Sequence, residues 1–300
     1  MESVVTPNAV RAKAPSVLEC LRRLCARRET VRYLTTSNLK AGHRDKVLGH
    51  LWNVLDPLMF MLVYYFVFGV LFKQAGRGRT AEFMLYILVG VLTWSFIQGT
   101  INQSANCVRG NRGLIHEINF PKSVFPVSVM FARLYDFAWG LVVLVVFLLV
   151  GGIWPTLHYL WVPLLVLVAA MLAMGVAFIV SYLGAFFADT TNVVGVALRL
   201  LFYCSPIFYF VRDEKRMELN EQGVMEEVVK YGALFHDPTY WKIYMMNPIA
   251  CLFECFRDAM LWGRAPEAGL LLYAAAVSVV VCVVGFAVFT RGEGKFAKYI

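Results

Sequence analysis

The stretch "NRGLIHEINFPKSVFP", residues 111–126, carries Arg112, His116, Glu117, Lys122 and two prolines. It separates two long apolar runs, 83–101 and 127–150. A bilayer core about 30 Å thick takes roughly 20 mostly apolar residues per helix, and both runs have that length. The polar stretch then reads as a turn between two membrane crossings. Working outward, similar runs lie near 52–72, 160–187, 193–210 and 268–289, giving six candidate spans. They are continuously apolar and do not alternate at period two, which speaks against a closed β-barrel. Composition agrees: 59% of residues are hydrophobic and only 16% charged, against about a quarter charged in soluble domains. The expected fold class is an all-α integral membrane protein.

Orientation follows from Lys and Arg near the span ends. Residues 1–46 hold Arg11, Lys13, Arg22, Arg23, Arg27, Arg28, Arg32, Lys40, Arg44 and Lys46, against Glu2, Glu19, Glu29 and Asp45. The 102–126 loop adds Arg109, Arg112 and Lys122, and the tail adds Arg291, Lys295 and Lys298. An even number of spans puts all three segments on one side, expected to be cytoplasmic, with both termini inside. Against this, the short opposing loop 73–82 carries Lys73, Arg77 and Arg79. The long opposing segment 211–267 holds seven bases and ten acids. No secretory signal is expected, since residues 1–46 are basic and polar.

"PSVLECLRRLCARRE", residues 15–29, reads as an amphipathic helix lying on the inner membrane surface. Ser16 and Glu19 fit a capping box, and Val17, Leu18, Leu21, Leu24 and Cys25 recur at helical spacing opposite four arginines. Asp56-Pro57 fits a cap and first turn at the start of the first span. Arg133 and Asp136, three residues apart, share a helical face, and pairing lowers the cost of charges at membrane depth. "NPIACLFECFRDAMLWG", residues 247–263, is too charged and too short to cross comfortably. It reads as a re-entrant or interfacial helix on the outer side, allowed where protein or water covers its backbone. The seven cysteines read as small hydrophobes.

Catalytic signatures are missing. There is no G-x-x-x-x-G-K-[ST] phosphate loop; "GEGKF" at 292–296 lacks its spacing and its Ser/Thr. No zinc or nucleophile-elbow motif appears. His236-Asp237 is a His–carboxylate neighbour pair in the polar outer segment, which alone is weak evidence for catalysis. No catalytic residue, metal site or cofactor of this chain's own is expected, nor any binding to nucleic acid. Intramembrane carboxylates are too few for a proton relay, so the energy for transport is expected from a partner.

Five segments, in order, resemble the permease subunits of type-2 ABC exporters of lipid-linked polysaccharide (O-antigen, capsule or teichoic acid). They are "LGHLWNVLDPLMFMLVYYFVFGVLF" (48–72), "YILVGVLTWSFI" (86–97), "NRGLIHEINFPKSVFPVS" (111–128), "FFADTTNVVGVALRLLFYCSPIFY" (186–209) and the 247–263 helix. The resemblance implies a homodimer in the bacterial inner membrane, seated on a separate ATPase that binds ATP and Mg. Its organisation would be a cytoplasmic segment 1–50, a six-span domain 51–290 and a cytoplasmic tail 291–300. The coupling loop, 108–123, would press a short helix into an ATPase cleft through Asn111, Arg112, Leu114, Ile115, His116, Glu117, Phe120 and Pro121. Re-entrant gate helices within 211–267 would close the outer end through Pro206, Tyr209, Asn247, Pro248 and Arg257.

Tyr64, Tyr65, Phe68, Trp94 and Tyr203 are candidates for a glycan-lined conduit, because sugar C–H faces pack on aromatic rings. Two departures from the family pattern stand out: Ala188 replaces a common Arg before Asp189, and the polar stretch 212–242 is long. The competing readings are an exporter of a smaller amphipathic substrate, such as a drug or lipo-oligosaccharide, an intramembrane glycosyl- or acyltransferase using His236 and Asp237, and a scaffold with no transport.

Overall fold

The computed structural model describes residues 17–43, 80–117, 120–211, 214–219, 225–231 and 238–296. Of the first apolar run it describes only 52, 55, 58, 59, 62, 63, 66 and 67, all in helical conformation. Asp56-Pro57, Tyr64, Tyr65, Phe68, Ser16 and the His236-Asp237 pair therefore lie outside the described residues.

The N-terminal segment forms α1 (Val17–Ala26) and α2 (Arg28–His43). The sequence predicts one helix over 15–29; the chain instead breaks at Arg27 and continues as a second, longer helix. That helix is held by tertiary contact. Leu34 is buried, and Asn38 donates to the Ser128 hydroxyl at 3.1 Å.

Four helices among the described residues are long and apolar enough to cross a membrane: Glu82–Ser104, Val124–Val150, Leu157–Phe186 and Ala268–Gly292. They belong to α3 (Thr80–Ser104), α5 (Val124–Val150), α6 (Val162–Phe186, extended by a 3₁₀ turn at Leu157–Trp161) and α10 (Ala268–Gly292). Between α3 and α5 lies the short helix α4 (Arg112–Glu117). The expected fifth span is instead α7 (Thr190–Tyr203), a 14-residue helix, roughly 21 Å long and so shorter than a bilayer core. It ends before Pro206, whose ring cannot continue a helix.

The all-α expectation needs one correction. Glu214–Leu219 and Met225–Tyr231 pair as an antiparallel hairpin, β1 and β2, with Met217 opposite Glu227 and Leu219 opposite Met225. Met217 and Leu219 alternate with Arg216 and Glu218, a strand period too short to stand out among so many charges. Two short helices follow, α8 (Pro238–Tyr244) and α9 (Pro248–Met260).

α3 is the central strut. It packs against α5, α6, α7 and α9 and is buried along most of its length. α6 and α10 make the most extensive contact, because glycines let their backbones meet. A Cβ on Gly285 would run into the Gly175 carbonyl, and one on Gly175 would sit 2.5 Å from the Cys282 backbone nitrogen. Small residues at a crossing allow this close approach in membrane helices. α5 and α10 leave most of their apolar surface uncovered.

Candidate functional site

Two constellations occupy opposite ends of α3. Tyr86 near its start and Ser104 at its end are 18 positions apart (104 less 86), which spans about 27 Å of helix.

The first constellation surrounds α4. A 3₁₀ turn at Arg109–Asn111 leads into the helix. The Asn111 carboxamide donates to the Cys107 carbonyl at 2.7 Å, fixing the turn. Ile115 and Phe120 are buried in the chain's own second core cluster with Leu34, Val108, Phe125 and Phe289. Phe120 meets Phe125 edge-on, with ring centres 5.4 Å apart. This corrects the expectation that Ile115 and Phe120 reach into a partner's notch: an apolar side chain gains more by filling the adjacent core than by waiting in water. They clamp α4 to the start of α5. Arg112 and Gly113 are exposed, and Leu114 and Pro121 are partly exposed. Asn111 is partly exposed as well, so Asn111, Arg112, Leu114 and Pro121 are the expected coupling positions, among those described, that the chain's own core leaves partly or fully uncovered. His116 and Glu117 complete α4.

The C-terminal segment buttresses this end. Phe296 is fully buried, and Glu293 accepts the Lys122 backbone N–H. Desolvation raises the Glu293 carboxyl above its ordinary value and lowers the Lys122 ammonium, each partly offset by attraction to the other. Cys107, likewise buried, is pushed up to about 12 by desolvation, so it behaves as an inert thiol.

The second constellation centres on α9. Asn247 caps this helix, accepting from the Ile249 N–H at 3.0 Å, and Pro248 takes the first turn. Every residue from Ile249 to Met260 is buried, so the chain itself covers this helix, as membrane-depth backbone requires. Arg257 is fully buried and ties α9 to α3 and to the stretch after α7. Its Nη1 donates to Glu254 at 2.9 Å and to the Tyr86 hydroxyl at 2.7 Å; its Nη2 donates to the Ile207 carbonyl at 3.1 Å. The guanidinium also stacks 3.4 Å from the Tyr86 ring centre. Tyr86 in turn donates to the Tyr209 carbonyl at 3.0 Å.

The non-helical stretch after α7 thus finds donors for its carbonyls. Tyr244 supplies another, to Cys204 at 2.7 Å, and its hydroxyl bonds that of Tyr209. Asn247 reaches Ser205 at 3.4 Å. Pro206, Tyr209, Asn247, Pro248 and Arg257 are therefore brought together around one buried network.

Sequence reasoning missed Tyr86, Glu254 and the buried Asp258, which pairs with Arg264 at 2.7 Å. The signal was present in "ECFRD", where Glu254 and Arg257 stand one helical turn apart. Arg133 and Asp136 do pair, at 3.7 Å, and Arg133 also donates to Gln103 at 2.9 Å. Among the conduit candidates, Tyr203 is exposed. Trp94 is 2% exposed, packed on Phe202 and donating to Gln98. It is a core residue of α3, so its place as a lining ring is withdrawn.

The family model described as ABC-2 type transporter matches residues 29–215. The chain belongs to the ABC-2 type transporter family. It is a multi-pass membrane permease, consistent with its long apolar helices. Among curated proteins it is 28% identical over 269 residues to the O-antigen export system permease protein RfbA of Klebsiella pneumoniae, covering 89% of this chain and 93% of that one. It is 27% identical to the RfbA protein of Myxococcus xanthus, over 89% and 94% of the two chains. It is 22% identical to the polysialic acid transport protein KpsM of Escherichia coli, over 84% and 89%.

Proposed function

We propose that this chain is the permease subunit of an ABC exporter that moves a lipid-linked polysaccharide, O-antigen-like, across the bacterial inner membrane. A separate ATPase supplies the energy, two permeases form the conduit, and both termini lie in the cytoplasm. The observation that carries this reading is the build of α4. Ile115 and Phe120 bury it into the base of α5, while Arg112 and Gly113 face outward. A push on α4 is then transmitted to the long helix through that shared core. The relatives, named for O-antigen export and polysialic acid transport, support the substrate class.

In this mechanism the chain performs no bond chemistry. ATP bound and hydrolysed in the partner moves α4, and α5 and the buried strut α3 carry the displacement. At the far end α3 meets the network of Arg257, Glu254 and Tyr86, placed to hold the outer side shut until the helices shift. The conduit would run along the uncovered faces of the helices between two copies, with Tyr203 available to stack on sugar rings.

The test is co-purification with candidate ABC ATPases in nanodiscs. Arg112→Glu combined with Leu114→Glu should abolish capture of the ATPase. Because Leu114 also packs on the second core cluster, Arg112→Glu alone, at an exposed side chain, is the control that should leave the thermal midpoint unchanged and still weaken capture. A double variant that still captures the ATPase and supports export would overturn the coupling role.

A further inference from the structure

We propose that a cavity of about 290 Å³ beside the coupling helix binds one glycosyl unit of the substrate and reports its presence to α4. This inference rests on the polysaccharide reading above. Residues from α2, the end of α3, the α3–α4 connection and α5 line the cavity, and its polar groups are Asn38, Asn102, Gln103, Asn106, Asn111 and Ser128.

The chemistry of that lining selects the ligand. A carboxamide presents two donors and an acceptor without net charge, and five of them converge here with one hydroxyl. Only part of this capacity is used internally. Asn38 donates to Ser128 at 3.1 Å, Asn111 to the Cys107 carbonyl at 2.7 Å, and Gln103 accepts from Arg133 at 2.9 Å. Among the described residues the Asn102 and Asn106 side chains make no hydrogen bond.

An acyl chain in this space would strand those groups, which is costly. An anion would want a cation, and among the described residues no Lys or Arg lines the cavity; Arg133, which donates to the lining residue Gln103, is paired with Asp136 at 3.7 Å. A sugar ring, with donor and acceptor hydroxyls around an apolar C–H face, matches both the amides and the wall formed by Phe125, Val129 and Leu34. Ligand sites run from about 300 Å³ upward, so the space suits a single ring rather than an oligomer.

Position gives the pocket its consequence. Asn106 and Asn111 lie in the short connection that enters α4, and Asn38 reaches in from α2. A ring hydrogen-bonded to both stiffens the coupling helix against the body of the permease when glycan is present.

The experiment uses the full permease–ATPase complex in nanodiscs. Three probes are titrated: the lipid-linked glycan from host membranes, the same glycan with its lipid removed, and polyprenyl pyrophosphate alone. The readouts are ATPase rate and hydrogen exchange over 102–111. Lipid-free glycan should slow exchange there and compete with the lipid-linked form. Asn102→Ala with Asn106→Ala should raise the half-maximal glycan concentration by about ten-fold, as expected for losing two hydrogen bonds. Both side chains are exposed, so the melting midpoint should hold; if it falls, each single variant is used instead. An unchanged half-maximal concentration in a variant whose parent responds to glycan overturns the pocket and leaves the exporter reading standing. Competition by polyprenyl pyrophosphate but not by lipid-free glycan overturns the sugar assignment. A complex that answers to no glycan at all removes the exporter reading and the pocket with it.

Discussion

Arg257→Met is the most informative single lesion at the α9 end of α3. Methionine keeps much of the side-chain volume but removes the charge and every donor. In the native chain Arg257 and Glu254 are both essentially inaccessible, joined at 2.9 Å. Deleting one member of a buried pair leaves the other as an uncompensated charge, at a cost of about 3–5 kcal/mol. The Ile207 carbonyl, 3.1 Å from Nη2, also loses a donor, at about 1–3 kcal/mol. The expected total is on the order of 5 kcal/mol.

Glu254→Leu added to Arg257→Met removes the carboxylate that has lost its cation. Tyr86 remains satisfied because it still donates to the Tyr209 carbonyl. The remaining penalty is then mainly the Ile207 carbonyl, about 1–3 kcal/mol. The double variant should therefore be more stable than Arg257→Met by on the order of 3 kcal/mol, read as a recovery of roughly 6 °C in thermal midpoint. Tryptophan fluorescence of nanodisc-embedded protein during heating measures it. A double variant no more stable than the single one would refute the assignment of a charge-compensated network.

Other perturbations have equally definite outcomes. Gly285→Ala at the α6–α10 crossing drives a methyl into the Gly175 carbonyl, so it should cost about 1–3 kcal/mol by overpacking and reduce folded yield, measured by size-exclusion chromatography. Gly195→Ala within α7 meets nothing within 4 Å and should stabilise by about 0.5–1 kcal/mol, seen as a raised melting midpoint. Glu293, whose carboxyl is raised by desolvation, favours folding while protonated. Its contribution is full below the ordinary value of 4.5 and lost as pH rises through the elevated folded value. Glu293→Gln should therefore flatten that part of the stability–pH curve, followed by melting scans across the range.

Much of the architecture was legible because bilayer thickness sets helix length: the runs at 83–101, 127–150, 160–187 and 268–289 each contain most of an observed helix. Cap chemistry was also local, so Asn247-Pro248 could be read as a helix start. The errors share a cause in tertiary context. Nothing in the local pattern of Ile115 and Phe120 says whether a partner or the chain's own core covers them; that depends on Leu34 and Phe289, distant in sequence. Trp94 was misjudged for the same reason, since its cover comes from Phe202. The hairpin at 214–231 was hidden by charge, and α2 by a weak amphipathic signal whose anchor, Ser128, lies 90 residues away. Tyr86 carried no sign of its role, because its partner Arg257 is 171 positions along the chain.

Transport itself is the most direct test. The permease is reconstituted with its ATPase in sealed proteoliposomes loaded on one leaflet with lipid-linked glycan, and an impermeant lectin detects glycan on the other side. The expected result is glycan appearing only with ATP and magnesium, and failing to appear when Arg112→Glu and Leu114→Glu are combined. Glycan that crosses equally without ATP, or a complex that never moves it, would contradict export driven through α4.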